Sequence, residues 1–188
     1  PTLYALDGRT GRVLWKVDKD VRGTWVAHAD EHDVVLVAHS RARDRALDET
    51  KAGMAVYRDR DGELLWTSDE SYEGPCMIHG TRIITQRKAF DLLSGKPIER
   101  THPLTGETIS WRYQRNYGCN TAIASKHLIL FRSAAAGYYD LEHDGGTGNL
   151  GGFKSGCTSN LIAACGILSA PDYTRTCTCS YQNQCSVA

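Results

Sequence analysis

Residues 3–15 read LYALDGRTGRVLW: a short apolar run, a polar loop built on Asp7, Thr10 and Gly11, then a second apolar run ending at Trp15. Two such runs around an Asp/Gly loop predict a β-hairpin. The Asp carboxylate can accept hydrogen bonds from the loop amides, and Gly supplies the positive φ that a short hairpin loop needs. Strict alternation would place Val13, Trp15 and Val17 on one face and Leu14 and Lys16 on the other.

The stretch recurs. Ala5-Leu6-Asp7 with Thr10-Gly11 and Trp15 lines up with Val56-Tyr57-Arg58, Asp61-Gly62 and Trp66. It lines up again with Ala89-Phe90-Asp91 followed by Ser94-Gly95 and Ile98, this time without the Trp. Thr105-Gly106 with Trp111 is a looser copy, and Tyr139-Asp140 followed by Thr147-Gly148 is a degraded one. The glycines Gly11, Gly62 and Gly95 are 51 and 33 residues apart, straddling the ~40–50 residues of a four-stranded propeller blade. Strand-length apolar runs at Val13–Val17, Val34–Ala38, Met54–Tyr57, Leu64–Trp66, Arg82–Thr85, His127–Phe131 and Ile162–Ser169 complete an all-β pattern. The tract Arg41–Lys51 carries almost no apolar stripe and reads as a solvated loop. One large ring per unit is what stacked sheets need between them, so Trp15, Trp66 and Trp111 are expected in inter-sheet core.

The segment ALDGRTGRVLW resembles the repeat of PQQ-like, quinoprotein alcohol dehydrogenase-like β-propellers. That repeat runs small apolar residue, any residue, Asp, two residues, Thr-Gly, then Trp. The match is strong over residues 1–15, fair over 52–66 and 89–111, and faint beyond 118. The expected fold is an all-β propeller of four-stranded antiparallel blades, with approximate units 1–24, 25–73, 74–117 and 118–188. About four blades is short of the roughly seven or eight usual in such rings. Residues 1–188 are therefore expected to be one propeller domain or the C-terminal part of one, with the rest of a longer chain preceding Pro1. A second arrangement would close the ends on each other, Ser180–Ala188 completing the blade that Pro1 begins.

The resemblance covers quinoprotein alcohol dehydrogenases and many non-enzymatic relatives, outer-membrane assembly lipoproteins among them. In the enzymes it would imply PQQ on a tryptophan at the axis, a disulfide between adjacent cysteines, Ca²⁺ held by Glu and Asn, and an Asp base. No Cys-Cys dipeptide occurs here, and Cys177 and Cys179 are separated by Thr178. Asn160, Asn183 and Asp172 are polar residues available for such roles, but no motif assigns them.

Composition narrows the rest. Lys plus Arg and Asp plus Glu are 22 each, so no global field draws nucleic acid or an anionic membrane. No apolar run reaches the length of a membrane-spanning helix. Six of seven cysteines lie after residue 118, which suggests disulfides in an oxidising compartment among Cys119, Cys157, Cys165, Cys177, Cys179 and Cys185, leaving Cys76 unpaired. Asp140–Gly146 lacks the spacing of an EF-hand loop. Gly146–Gly151 fits G-x-G-x-x-G by letter, yet no helix-like segment follows it. His28 and His32 are four apart in a strand-type region where that spacing does not converge, and no Gly-x-Ser-x-Gly elbow is present.

The reading that results is a binding or interaction scaffold from an exported bacterial protein, periplasmic or secreted, non-catalytic by itself. Its partner would be a protein or small molecule at the propeller face, with no nucleic acid and no membrane span. The alternative is part of a PQQ/Ca²⁺-dependent dehydrogenase-like oxidoreductase. No catalytic, cofactor or metal residue is assigned, and Asp7, Thr10, Gly11, Trp15, Gly62, Trp66, Asp91, Gly95 and Trp111 are read as structural.

Overall fold

The structure is a computed structural model and describes residues 1–19, 21–23, 25–39, 53–70, 72, 75–86, 88–156 and 159–171. The tract 41–51, Cys157, Cys177, Cys179, Cys185, Asp172, Asn183 and the segment 180–188 lie outside the described residues. Among the described residues the chain is almost entirely antiparallel β-sheet, and its single helical element is a 3-10 turn at Asp30–His32. It divides into two compact units, Pro1–Arg112 and Tyr113–Ala188.

In the first unit, β1 (Leu3–Leu6) and β2 (Val13–Val17) form a two-stranded sheet. Next, β3 (Trp25–Ala29), β4 (Val34–Ala38), β5 (Met54–Arg58) and β6 (Leu64–Ser68) form a four-stranded sheet in sequence order. Then come β7 (Met77–His79), β8 (Arg82–Ile84) and β9 (Ala89–Asp91), to which Pro97 adds by a bridge to Phe90. The same chain runs on as β10 (Glu99–Thr101), which pairs with β11 (Thr108–Ser110).

Alternation decides which sheet meets which. In β5, Ala55 and Tyr57 point one way and pack with Val35, Val37, Val21, Leu3 and Val17, so the first two sheets share a core. Met54 and Val56 point the other way and pack with Leu36, Ile83, Phe90 and Leu92, joining the second sheet to the third. Each fully buried Leu, Ile or Phe in these layers contributes roughly 1.5–3 kcal/mol of transfer free energy.

The second unit contains β12 (Ile123–Ala124), β13 (Leu128–Ser133), β14 (Ala135–Asp140) and β15 (Gly146–Asn149) in one sheet, and β16 (Ile162–Ala164) with β17 (Ile167–Ser169) in another. Leu130, Ala136, Leu161 and Ala170 are the buried centre between these sheets. On the opposite face of β13, Phe131 and Tyr139 pack against Tyr113, with ring centroids 5.2 and 6.2 Å from it.

Three local expectations change. A bulge opposite Ala5 and Leu6 inserts Leu14 between Trp15 and Val13, so Val13 turns out to solvent instead of sharing the face of Trp15. The run Ile162–Ser169 is two strands, because Cys165 and Gly166 both take positive φ (51° and 78°) and turn the chain back. Thr147-Gly148 is no loop: it pairs with Tyr139 and Tyr138 inside β15, and Leu141–Gly145 makes the turn.

Candidate functional site

Four loops of the first unit share one backbone circuit. In each, a glycine amide donates to the carbonyl four residues back: Gly11 to Asp7, Gly62 to Arg58, Gly95 to Asp91 and Gly106 to His102, at 2.8–2.9 Å. The first residue of each loop also donates its amide across the neck, to Arg12, Glu63, Lys96 and Glu107 respectively, at 2.8 Å. All four glycines have φ between +68° and +73°, the left-handed region that side chains resist.

The side chains that brace the circuit differ. Asp7 accepts from the hydroxyl and amide of Thr10, and Asp91 does the same with Ser94. Those hydroxyl bonds hold both carboxyls below their ordinary pKa. In the second loop the charges are exchanged: Asp61 accepts from the Arg58 guanidinium and the Glu63 amide, and the guanidinium lowers its pKa. His102 Nδ1 takes the place of the carboxylate in the fourth, accepting from the Thr105 amide at 3.1 Å.

Two loops hold an indole. Trp15 of β2 donates its ring N–H to the Asp59 carbonyl at 2.5 Å, and a Cβ on Gly62 would stand 2.7 Å from Trp15 Cε3. Trp66 of β6 donates to the Leu92 carbonyl at 2.8 Å, and a Cβ on Gly95 would stand 2.6 Å from Trp66 Cε3. Each sheet thus lays its tryptophan flat against the glycine of the next sheet's loop. Trp111 is buried, 3% exposed. Gly11 and Gly106 meet nothing within 4 Å of a built Cβ.

Within the unit Pro1–Arg112 the described residues cover the first sheet on one side. Leu6, Tyr57 and Phe90 occupy the same place, one residue before the loop, yet they are 56%, 2% and 0% exposed. Tyr57 is covered by the first sheet and Phe90 by the second. On the open face Leu6 is joined by Tyr4, Val13 and Leu14, all about half exposed or more. Together these four residues form an apolar patch on a sheet face. Sequence alone misses it, because an apolar residue at this position reads the same whether or not a neighbour covers it.

In the second unit, buried Asn120 ties three segments together. Its Oδ1 accepts from the Arg132 amide at 2.9 Å and from Arg115 Nη2 at 2.8 Å, and its Nδ2 donates to Ser155 Oγ at 3.2 Å. Arg115 also donates to the Arg132 carbonyl, and burial lowers its pKa. Beside this strap lies a hollow of about 270 Å³ lined by neutral polar groups, among them Gln114, Asn116, Thr147 and Asn149. It can hydrogen-bond a ligand, but its lining has no acid–base pair.

The remaining expected residues scatter. Cys119 and Cys165 are exposed free thiols, and Cys76 is a buried one whose pKa burial pushes up to about 12. His28 lies on β3, 3.2 Å from Asp59, while His32 sits in the 3-10 turn. Among the described residues no three His, Cys, Asp or Glu side chains are grouped to hold a metal, and Asn160 has no such company. Asp172, Asn183, Cys177 and Cys179, on which a PQQ/Ca²⁺ centre would draw, lie outside the described residues.

No family model and no curated protein matches the chain. Among solved structures it is similar to the crystal structure of BamB from Moraxella catarrhalis, with a TM-score of 0.53 and 17% sequence identity. That match covers 89% of this chain and 49% of the other, so the chain spans about half the length of its neighbour. The similarity and the succession of antiparallel sheets stacked through tryptophan give the chain the fold class of a β-propeller.

Proposed function

We propose that this chain is the scaffold of a PQQ-like β-propeller in an exported bacterial protein, and that it binds a protein partner and is non-catalytic by itself. Both compact units would belong to one propeller. The observation that carries the reading is the regular stack of sheets locked by Trp15 at Gly62 and Trp66 at Gly95, and Tyr4 and Leu6, exposed in this chain, are the positions at which a partner is sought. Indoles clamped at Gly62 and Gly95 make the stack rigid, which is the quality a docking platform needs. The likeness of ALDGRTGRVLW to a family that includes outer-membrane assembly lipoproteins supports an envelope location.

Photo-crosslinking in bacterial cells tests this. A benzophenone amino acid replaces Tyr4 or Leu6 and, as a control on the covered side of the same sheet, Leu3. Discrete protein adducts at positions 4 and 6, and none at 3, are expected. Equal labelling at all three, or none at 4 and 6, refutes the proposal.

A further inference from the structure

The hollow in the second unit is framed by hydrogen bonds that leave two side-chain amides over. Along the segment 113–117 the side chains alternate. Tyr113 packs on Phe131 and Tyr139, and Arg115 donates to the Arg132 carbonyl at 2.9 Å, so both turn into the unit. Gln114 and Asn116 stand two residues apart on the other side, exposed. Their backbone is pinned. The Gln114 amide donates to Thr147 Oγ1 at 3.3 Å, and its carbonyl accepts from the same hydroxyl at 2.9 Å. The Asn116 amide donates to Ser133 Oγ at 2.8 Å.

The facing wall is β15, where Thr147 and Asn149 share a face of the sheet. Gly148 between them offers only backbone to the hollow, because a Cβ there would stand 2.4 Å from the Tyr138 ring on the opposite face. Asn149 is tied at both ends: its Nδ2 donates to the Ser133 carbonyl at 3.1 Å and its Oδ1 accepts from the Gly151 amide at 2.7 Å. Ser133, Thr147 and Asn149 thus spend polar groups on building the walls. Among the described residues the side-chain amides of Gln114 and Asn116 have no hydrogen-bond partner, and they line a space of about 270 Å³.

The chemistry of that lining is selective. None of its side chains ionises, so a charged ligand would shed water without meeting a counter-charge. None is aromatic or aliphatic beyond the methyl of Thr147, so a peptide finds no pocket for an apolar anchor. Each free amide offers two N–H donors and one acceptor oxygen. Hydroxyl groups, which both donate and accept, are the neutral groups that such a pair satisfies in full. Small-molecule sites run from roughly 300 to 1,000 Å³, so this hollow, at the lower edge, suits one small ring.

We infer that the hollow binds a neutral saccharide, the hydroxyls of one sugar ring meeting the side-chain amides of Gln114 and Asn116. The inference concerns a ligand of the second unit and stands or falls apart from the crosslinking at Tyr4 and Leu6.

The test uses the full chain labelled with ¹⁵N and titrated with the methyl glycosides of glucose, galactose and mannose. Saturable shifts in the millimolar range at amides 114–116, 133 and 147–149 are expected for at least one of them. Gln114→Ala and Asn116→Ala, both at exposed positions, should each weaken that sugar about tenfold while the amide spectrum of β13 stays in place. Methyl glucuronate, a ring with a carboxylate, and the capped peptide acetyl-Gly-Ser-Gly-amide should not saturate. A trisaccharide of the sugar that binds separates its sources: tighter binding than the single ring marks a glycan chain, equal binding marks a free sugar, and both uphold the site. No saturation by any of the three glycosides overturns the inference. So does indifference to both alanine variants, equal binding of the glucuronate, or saturation by the peptide in place of the sugars.

Discussion

Gly11, Gly62, Gly95 and Gly106 form a built-in control series. All have φ of +68° to +73°, so alanine at each carries the same left-handed penalty of about 1–2 kcal/mol. Only at Gly62 and Gly95 does the new methyl collide, 2.7 and 2.6 Å from an indole carbon. The ring must lift away, which strains or breaks its hydrogen bond to Asp59 or Leu92, worth about 0.5–1.5 kcal/mol net. Displacing a packed ring adds about 1–3 kcal/mol. Gly62→Ala and Gly95→Ala should therefore exceed Gly11→Ala and Gly106→Ala by about 2–4 kcal/mol. All four tryptophans, at 15, 25, 66 and 111, lie in the unit Pro1–Arg112, so indole fluorescence in urea follows that unit selectively. Equal midpoints for the four variants would falsify the docking account. A double variant gives a sharper check: with Trp66→Leu already present, Gly95→Ala should cost only what it costs at Gly11.

Leu6→Lys should leave urea stability of the isolated chain within about 0.5 kcal/mol, whereas Tyr57→Lys at the equivalent covered position should unfold the first unit; comparable losses at both sites would contradict the open face. Cys76 should resist alkylation in the native chain while Cys119 and Cys165 react, and similar rates for all three would refute its burial. The folded thiol titrates near 12 and an unfolded one near about 8.5, so the unfolded chain binds fewer protons above that pH. Stability from Cys76 is thus fully present below about pH 8.5 and falls as pH rises towards 12. Cys76→Ala should flatten that alkaline decline in indole fluorescence, and an unchanged slope would assign the decline elsewhere. Asn120→Ala strands the Arg132 amide and part of Arg115 in a buried setting and should cost about 2–4 kcal/mol in the second unit, read by amide exchange at β13; fast exchange confined to 113–120 would show that the strap is not coupled to the sheet.

What was legible in the sequence is what depends on neighbours along the chain. Asp7 with Thr10 and Gly11 prescribes its loop because donors and acceptors lie within four residues of one another. The same logic found β2, β4, β5 and β6, whose apolar runs stand between loop residues. Val13 defeated strict alternation because a bulge shifts the phase by one residue, and nothing in VLW announces it. Asn120 was invisible for a different reason: its partners Arg132 and Ser155 are 12 and 35 residues away, and a lone Asn between Cys and Thr reads as a turn former. The recurrence of Gly and Trp four residues apart was plain, but the spacing misleads about the contact. Trp15 sits on Gly62 rather than on Gly11, so the motif pairs between units and not within one.

That offset gives the stack a direction. The first two hairpins each carry an indole in the middle of their last strand, and in both the indole goes forward to the following loop. Apolar burial alone would let two sheets slide, since it rewards area and is indifferent to register. A ring N–H aimed at one carbonyl fixes both the distance and the angle of approach. The first two junctions of the unit are locked in this way. In the third copy Gly95 is followed by Ile98 and Glu99, and neither has a ring N–H with which to define an approach. Positional specificity is therefore concentrated in the two junctions where an indole meets a bare glycine and a carbonyl.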